Sequence, residues 1–428
     1  MLPQRAGRVK PAGRLLLLLI GCGWVFAGET SHAQSRESLA GESAAEALKR
    51  SLQAESYNQA YGPVRVRTSA GAAINYTDNV FYSHERKEDM MVRPEVKLAA
   101  FVPVTQLNAL NLSLGLSYEW YLKNRLLNAD APLVNPDSEL AFHLFVGDFH
   151  IQLHDRFSYQ ESLFINTLAG DNALFYNFNN VGTFKRVDNK AGFDVTWDLN
   201  KVVLSAGYDH ENFNAMTSGF KYLNRASEFA NASAGFMFGD HTQAGLEAKA
   251  SFNDYSQETI LNDNWRGRVG PFVEAAVWEG IKLRAGGGFD AARYDTAALG
   301  GSDYNSYYAY ARIRQETRLF SHSVEAGRET VLGDNANNMR TTYARYAITS
   351  PVVAHVSLGA NASYNVGEEF GGAFAEKFTY YDAGFQVTWQ LAKYWQTDLK
   401  YGFRLKKSDL PLREYHRNQV TLGVVWSF

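Results

Sequence analysis

From Val64 to Phe428 the chain alternates apolar and polar residues with a period of two, in one segment after another. Successive side chains of a β-strand point to opposite faces, so this period specifies strands with one apolar face. The last segment is the clearest. Val420, Leu422, Val424, Trp426 and Phe428 fall on one face, and Gln419, Thr421, Gly423, Val425 and Ser427 on the other. The segment before it sets Trp395, Leu399, Tyr401, Phe403 and Leu405 against Gln396, Asp398, Lys400, Gly402, Arg404 and Lys406. Segments around 110–120, 191–199, 244–252 and 356–364 read the same way.

A soluble sandwich would turn its apolar face inward and its charges to water. Here the polar faces are small, glycine-rich and charged. The apolar faces carry aromatics near the strand ends, as the girdles of a lipid-facing wall require. Aromatics make up 14% of a chain whose mean hydropathy is only -0.30, too polar for a helical membrane protein. No apolar run reaches the roughly 18 residues of a spanning helix. A formal net charge of -3 gives no reason to expect a nucleic-acid partner.

The connections alternate in length. Short ones fall at Pro103-Val104-Thr105, Gly147-Asp148, Asn200-Lys201, Gly239-Asp240-His241, Glu279-Gly280, Phe320-Ser321, Pro351-Val352 and Ala392-Lys393. Long ones fall at 78–89, 122–137, 161–185, 214–224, 295–302, 333–339 and 367–376. Short periplasmic turns with long outer loops belong to an up-and-down outer-membrane barrel; a propeller or immunoglobulin-like array would not produce them. The expectation is therefore an all-β, transmembrane, antiparallel β-barrel over residues 63–428, with about 18 strands, both ends periplasmic, in the lipid of a bacterial outer membrane. The weakest segments are Glu139–Val146 and Ser323–Leu332. In the second, Arg328 and Glu329 are expected to need a bulge if both are to avoid lipid.

The N-terminus reads as an export signal over residues 1–33. Arg5, Arg8, Lys10 and Arg14 precede the apolar run from Leu15 to Ala27, and Ser31-His32-Ala33 offers a cleavage site before Gln34. A rival reading stays open: Leu19-Ile20-Gly21-Cys22 resembles a lipobox, which would lipidate Cys22. Cys22 is the single cysteine, so no disulfide framework or cysteine metal site is expected. Residues 34–62 form a periplasmic segment, and the helix formers between Ser38 and Leu52 predict a short helix within it.

Gly71-Ala72-Ala73-Ile74-Asn75-Tyr76-Thr77-Asp78-Asn79-Val80-Phe81-Tyr82 resembles the opening of the β-barrel porin 2 group, outer-membrane barrels some of which are associated with exopolysaccharide loci. Tyr76-Thr77-Asp78-Asn79-Val80 matches the Tyr-x-Asp-Asn-hydrophobic turn that follows the first strand there. Tyr401-Gly402-Phe403-Arg404 is similar to the group's arginine-rich penultimate strand. The resemblance implies an outer-membrane barrel and brings an exopolysaccharide into view as cargo.

No catalytic signature stands out, and no enzyme activity, cofactor or metal is expected. Asp209-His210-Glu211 could be a hydrolase pair, but a polar strand end explains it more simply. His150 and His154 both face the lumen, four residues apart, too far for easy metal sharing; His143 could approach them across a hairpin, where a hydrogen-bond network is the simpler role. The lumen charges are more informative. By alternation Arg266, Arg268, Lys282, Arg284, Arg312, Arg314 and Arg345 form one inward basic arc. Arg65, Arg67, Arg93, Lys97, Lys400, Arg404, Lys406 and Arg417 form a second once the last strand meets the first. Asp188, Asp194, Asp198, Asp209, Glu211 and Glu247 form an acidic sector between them. Opposed sectors would set up a transverse field that guides an anionic solute. Alternatively Asp398, Glu95, Glu274, Asp290, Glu316 and Asp382 neutralise the arcs as wall ion pairs.

The function expected is passive passage of small solutes or an anionic polysaccharide. A plugged structural or adhesive barrel acting through its outer loops is the alternative. The 161–185 loop, with Phe164, Phe175, Tyr176 and Phe178, is expected to fold inward or against a neighbour. Trp426 and Phe428 form the C-terminal signal expected to be read by the barrel assembly machinery.

Overall fold

The computed structural model describes residues 57–161, 184–238, 242–278, 280–295, 302–372 and 375–428. The expected signal peptide, the helix expected between Ser38 and Leu52, and the middle of the 161–185 loop lie outside these residues.

The chain forms a closed antiparallel barrel of 18 staves. A short strand β1 (Gln59–Tyr61) turns back into β2 (Val64–Thr77), the first stave. It is followed by β3 (Asp89–Pro103), then by β4 (Ala109–Ser117) with its extension β5 (Trp120–Tyr121), and by β7 (Glu139–Val146), preceded by β6 (Leu133–Val134). Next come β8 (Phe149–Gln160), β9 (Arg186–Asp198), β10 (Val202–Ala215), β11 (Arg225–Met237), β12 (Thr242–Tyr255) and β13 (Asn264–Trp278). The circle continues through β14 (Ile281–Tyr294), β15 (Tyr304–Glu316), β16 (Ser321–Leu332), β17 (Asn338–Val353), β18 (Val356–Phe370), β19 (Glu376–Ala392), β20 (Trp395–Ser408) and β21 (Tyr415–Ser427). β21 pairs with β2 from Ser69–Ser427 to Thr77–Gln419 and closes it.

Closure leaves the sheet without a first or last edge, which a wall in lipid requires because unpaired backbone groups find no water there. The outer face is apolar: Ile74, Val96, Leu116, Leu153, Leu246, Val269, Ile313, Leu399 and Leu422 are all exposed. Aromatics belt it at two levels. Phe149 stacks on Trp197, and Trp395 on Trp426, near the turn-bearing rim. Tyr76, Trp120, Phe157, Phe252, Trp265, Tyr307, Tyr364 and Tyr401 lie exposed nearer the loops.

Both ends of the closing seam are locked. At the end that bears the short turns Asn58 exchanges two hydrogen bonds with the Thr68 backbone, and Gln59 Nε2 donates to the Phe428 carbonyl at 3.1 Å. At the loop end Asp78 accepts from Asn418 N and Nδ2, both at 2.8 Å. Fully buried Asn79 donates to Ser83 O and His416 O at 2.7 and 3.0 Å. The Asp-Asn pair of the 76–80 motif thus ties the first loop to the last strand.

Some sequence expectations are corrected. β17 runs past Pro351 to Val353, with a register shift between them, and the turn falls at Ala354–His355. A proline without an N–H sits comfortably at such a bulge, so it mimicked a turn. Ser321 begins β16 rather than ending a turn. Arg328 and Glu329 are accommodated without a register shift in β16. Glu329 faces the lumen near Arg268, while Arg328 lies on the outer face with its guanidinium 4.2 Å from the Tyr307 ring centre. With no bulge one of the two stays on the outer face, as alternation requires, and a long arginine near the interface keeps its head at the girdle level.

Candidate functional site

Inward residues of neighbouring strands line up in hydrogen-bonded rows. One row runs Glu274, Arg284, Arg312, Glu325, Arg345, Ser363, Asp382, Arg404 and Arg417, from β13 to β21. Strands of a barrel tilt against its axis, so a row perpendicular to them climbs the wall. Glu274 sits near the short-turn end of β13 and Arg417 near the long-loop end of β21. The row is a rising strip of mixed charge.

Most of its cations are held. Arg312 donates Nε and Nη2 to Glu325 Oε2 at 3.1 and 2.9 Å, and Arg345 reaches the same carboxylate at 3.8 Å. Arg284 lies 3.4 Å from Glu274 and 3.5 Å from Glu247. Arg404 pairs with Asp382, and Arg417 donates to Thr77 Oγ1 at 2.9 Å and to Tyr82. Arg314 meets Glu316 at 2.8 Å. In the second arc Lys97 meets Asp137 and Glu95 at 2.8 and 3.0 Å, Lys406 meets Glu376 at 2.7 Å, and Arg93 meets Glu119 at 3.4 Å. Arg65 lies over the Tyr57 ring. Of the expected neutralising acids, Glu95, Glu274, Glu316 and Asp382 are in ion pairs. Asp290 instead accepts from Tyr304, and Asp398 from Gln386, Thr388 and Gln396. Lys282, Lys400 and Arg67 have no ion-pair partner among the described residues.

Glu247 organises a patch that sequence alternation alone did not find. On β12 it accepts from Tyr308 and Tyr310 of β15 at 3.2 and 3.1 Å. Two strands lie between, but the inward positions there are Gly270, Gly286 and Gly288. The Tyr310 ring lies directly above Gly286, where a Cβ would meet it. A glycine floor lets the tyrosines lie flat and reach across.

A second feature reshapes the lumen. Pairing between β15 and β16 stops at Ala309–Arg328, although β15 stays paired to β14 up to Tyr304 and β16 to β17 up to Leu332. Beyond that point the first arc reaches the tip: Arg268 donates to Thr330 O, the carbonyl turned toward the missing β15 partner, at 3.3 Å, and Arg266 to Val331 O at 3.0 Å and Asn338 Oδ1 at 2.9 Å. Ser302, after β14, donates to Gly371 O, after β18, at 3.2 Å. In an unbroken wall β15 and β18 would be about 14 Å apart, at about 4.8 Å per strand. The tip of the β16–β17 hairpin therefore leaves β15 and bends toward the lumen, where Arg266 and Arg268 meet it. Its loop, 333–337, is clamped by Asn337, which bonds Asn262 and Ser302 through Nδ2 at 2.9 and 2.7 Å. The 216–224 loop reaches the same place. Burial pushes the Tyr222 hydroxyl up to about 12, with the Asp334 and Glu369 carboxylates adding to it and Arg413 opposing.

Aromatic packing fills the lumen at this level on two sides. Phe184, Phe213, Leu223, Tyr255 and Leu261 form one cluster, and Met339, Phe378, Tyr380 and Tyr415 another. Phe184 belongs to the end of the 161–185 loop and stacks on Phe220 at 4.7 Å; Phe164, Phe175, Tyr176 and Phe178 lie outside the described residues.

In the acidic sector Asp209 and Glu211 point inward, and His210 points outward to Glu228 at 2.8 Å. The adjacent Asp209 and His210 are thus on opposite faces and form no pair. Asp209 instead meets His154 at 2.7 Å and Lys190 at 3.1 Å; Asp194 stands 3.7 Å from His154, and Glu211 meets Arg225 at 3.3 Å. Asp188 and Asp198 line the same strand, β9. His143 and His150 approach to 3.1 Å across the β7–β8 hairpin.

No protein-family model matches the chain, and no curated protein sequence does. Among solved structures it is similar to Pseudomonas aeruginosa OpdF in complex with glucuronate, at 10% identity and TM-score 0.50 over 85% of this chain and 98% of that one. Pseudomonas aeruginosa OpdK with vanillate matches at 13% identity and TM-score 0.49, over 85% and 99%. A BenF-like porin from Pseudomonas fluorescens Pf-5 matches at 10% and 0.48, over 85% and 99%. At such identities the likeness speaks to fold. The closed apolar wall, its aromatic belts and the fold shared with OpdF define an integral β-barrel of the bacterial outer membrane. The chain is an antiparallel barrel of 18 staves that crosses this membrane with its strands.

Proposed function

We propose that the barrel is a passive channel whose lumen charges favour anionic solutes. The observation that carries this reading is the climbing row from Glu274 to Arg417, flanked by Lys282 and Lys400. Charges held in fixed positions along a low-dielectric wall act on a passing ion more strongly than the same charges in water. The inward β16–β17 tip supplies the constriction. Arg266 and Arg268 fasten it, and Arg284, Arg312, Arg314 and Arg345 lie on its periplasmic side. The second arc, with Arg65, Arg67, Arg93, Lys97, Lys400, Arg404, Lys406 and Arg417, lines the opposite wall against the acidic sector. The resemblance to the β-barrel porin 2 group supports an anionic polysaccharide among the solutes. It rests on the 76–80 and 401–404 stretches.

Planar-bilayer recording tests the reading. Reversing Arg268, Arg284 and Arg312 together to glutamate should move the reversal potential in a salt gradient toward cation preference. Unchanged selectivity at intact conductance would leave these arginines as wall partners only. The second reading, a plugged barrel working through its outer loops, is favoured by the burial of Ala336, Asn337 and Asn338 at 2% exposure or less. It predicts no conductance from wild type, and open pores once the tip is released.

A further inference from the structure

The outer surface carries a cation group that neither the lumen nor the fold uses. Just above the loop-side aromatic belt, one outward row runs Arg328, Thr342, Val366, Thr379 and Lys407, from β16 to β20. The next outward row toward the loops holds Arg340, Glu368 and Lys377. The row below, on the same face, is Ala344, Tyr364, Tyr381 and Leu405, with both tyrosines exposed in the girdle. The cations therefore begin where the hydrocarbon ends.

Arg340 is held by Glu368 at 2.8 Å and packs over Phe370. Arg328 donates to the Tyr307 hydroxyl at 2.6 Å. Lys377 and Lys407 are exposed and have no ion-pair partner among the described residues; Lys407 hangs over the Tyr381 ring at 5.9 Å. They sit diagonally across β19 and β20, about 7–8 Å apart at the backbone, with the Thr379 hydroxyl position between them. Opposite, on β8, β11 and β12, the outward groups near this level are Asp155, Glu228 and Asp254, facing the single His210. The basic character belongs to one side of the barrel.

We infer that Lys377 and Lys407, backed by Arg328 and Arg340, bind the phosphorylated head group of a lipid of the outer leaflet. Phosphate oxygens accept from several ammonium and guanidinium donors at once. A lipid anchored in the hydrocarbon would present them at the level where these side chains emerge, and threonine hydroxyls can add weaker donors. The Tyr364 and Tyr381 rings would lie against its upper acyl chain. Water alone offers these lysines no reason to cluster on one side just above the belt.

The test uses the full barrel in phosphatidylcholine nanodiscs, titrated with diphosphorylated lipid A and with the same lipid stripped of its phosphates. Bound lipid is counted by native mass spectrometry. The diphosphorylated form should bind, and the stripped form should not. The double variant Lys377→Ala/Lys407→Ala should bind about thirtyfold more weakly, about fivefold for each cation near a charged surface. Lys377→Arg/Lys407→Arg should restore binding, and Asp254→Ala should leave it unchanged. Heat-modified gel mobility confirms that each variant is a barrel. Equal binding of both lipids, or wild-type binding by the double alanine variant, overturns the inference. Displacement of the lipid by millimolar inorganic phosphate would reassign the site to the free ion and also overturn it.

Discussion

Arg266 on β13 donates to the carbonyl of Val331 on β16 at 3.0 Å, three strands away around the wall. The contact exists because β16 has left its partner β15. A carbonyl freed from a ladder and buried in the lumen must find another donor. Arg266→Ala together with Arg268→Ala leaves the freed Thr330 carbonyl unmet, at a cost of about 1–3 kcal/mol, and takes from Val331 O the donor it has besides its place in the β16–β17 ladder. The tip should loosen, lowering the thermal midpoint in detergent and raising single-channel conductance and its noise. A quiet channel of wild-type conductance would mean that packing, not these arginines, sets the tip.

Asn337 is the knot of the loop assembly. Besides its two Nδ2 bonds, its Oδ1 accepts from Asn262 N at 2.8 Å and its N–H donates to Gly371 O. Asn337→Ala removes the side-chain links and strands their partners, which should cost about 1–3 kcal/mol per buried group. Hydrogen exchange should quicken at 256–263, 333–337 and near Gly371, with the staves unchanged. Exchange at wild-type rates in these loops would sink the idea that one asparagine ties them.

The C-terminal strand carries its own prediction. Trp426 stacks on Trp395, Phe428 packs on Trp426, and Phe428 N donates to Thr68 O at 3.2 Å. Deleting Trp426 to Phe428 removes a girdle corner and the end of the β2–β21 ladder, as well as the proposed assembly signal. Outer-membrane insertion should be lost. Phe428→Ala separates the two causes: it keeps the ladder, so a large insertion defect there points to recognition rather than to closure. Normal insertion of the truncation would remove both roles.

The wall was legible in the sequence because a barrel repeats one rule, and the period of two holds from β2 to β21. The assignment of residues to the two faces follows from that period. Turn positions were legible where Gly, Asn or Asp supplied the bend, and misplaced where Pro351 sat in a bulge. The interior of the mouth was not legible. Nothing in Glu329–Asn338 distinguishes a strand pair that bends inward from one that stays in the wall; the cause lies in Arg266 and Arg268, more than sixty residues earlier. Nor could alternation show that His154, rather than His210, meets Asp209, since that contact is set by the register between β8, β9 and β10. The glycines were visible, but only the register shows which of them share a row.

That register makes Gly288 a sharp test of the Glu247 patch. A Cβ at Gly288 would meet Val269 O and the Gly270 Cα, both backbone, so no side-chain adjustment can make room. Gly288→Ala should push β13 and β14 apart and cost about 1–3 kcal/mol, as overpacking does. It should also tilt Tyr308 off the floor and away from Glu247. Tyr308→Phe removes the same hydroxyl without the clash, leaving Glu247 with Tyr310 and with Arg284 at 3.5 Å. If the glycine acts by letting the tyrosine lie flat, the two changes should be less than additive in unfolding free energy, by more than about 0.5 kcal/mol. Both should expose the Glu247 carboxylate to the lumen, lowering anion preference in bilayer recordings. Strict additivity with unchanged selectivity would show that the glycine floor serves only strand packing, and that the Glu247–Tyr308 contact takes no part in the charge of the lumen.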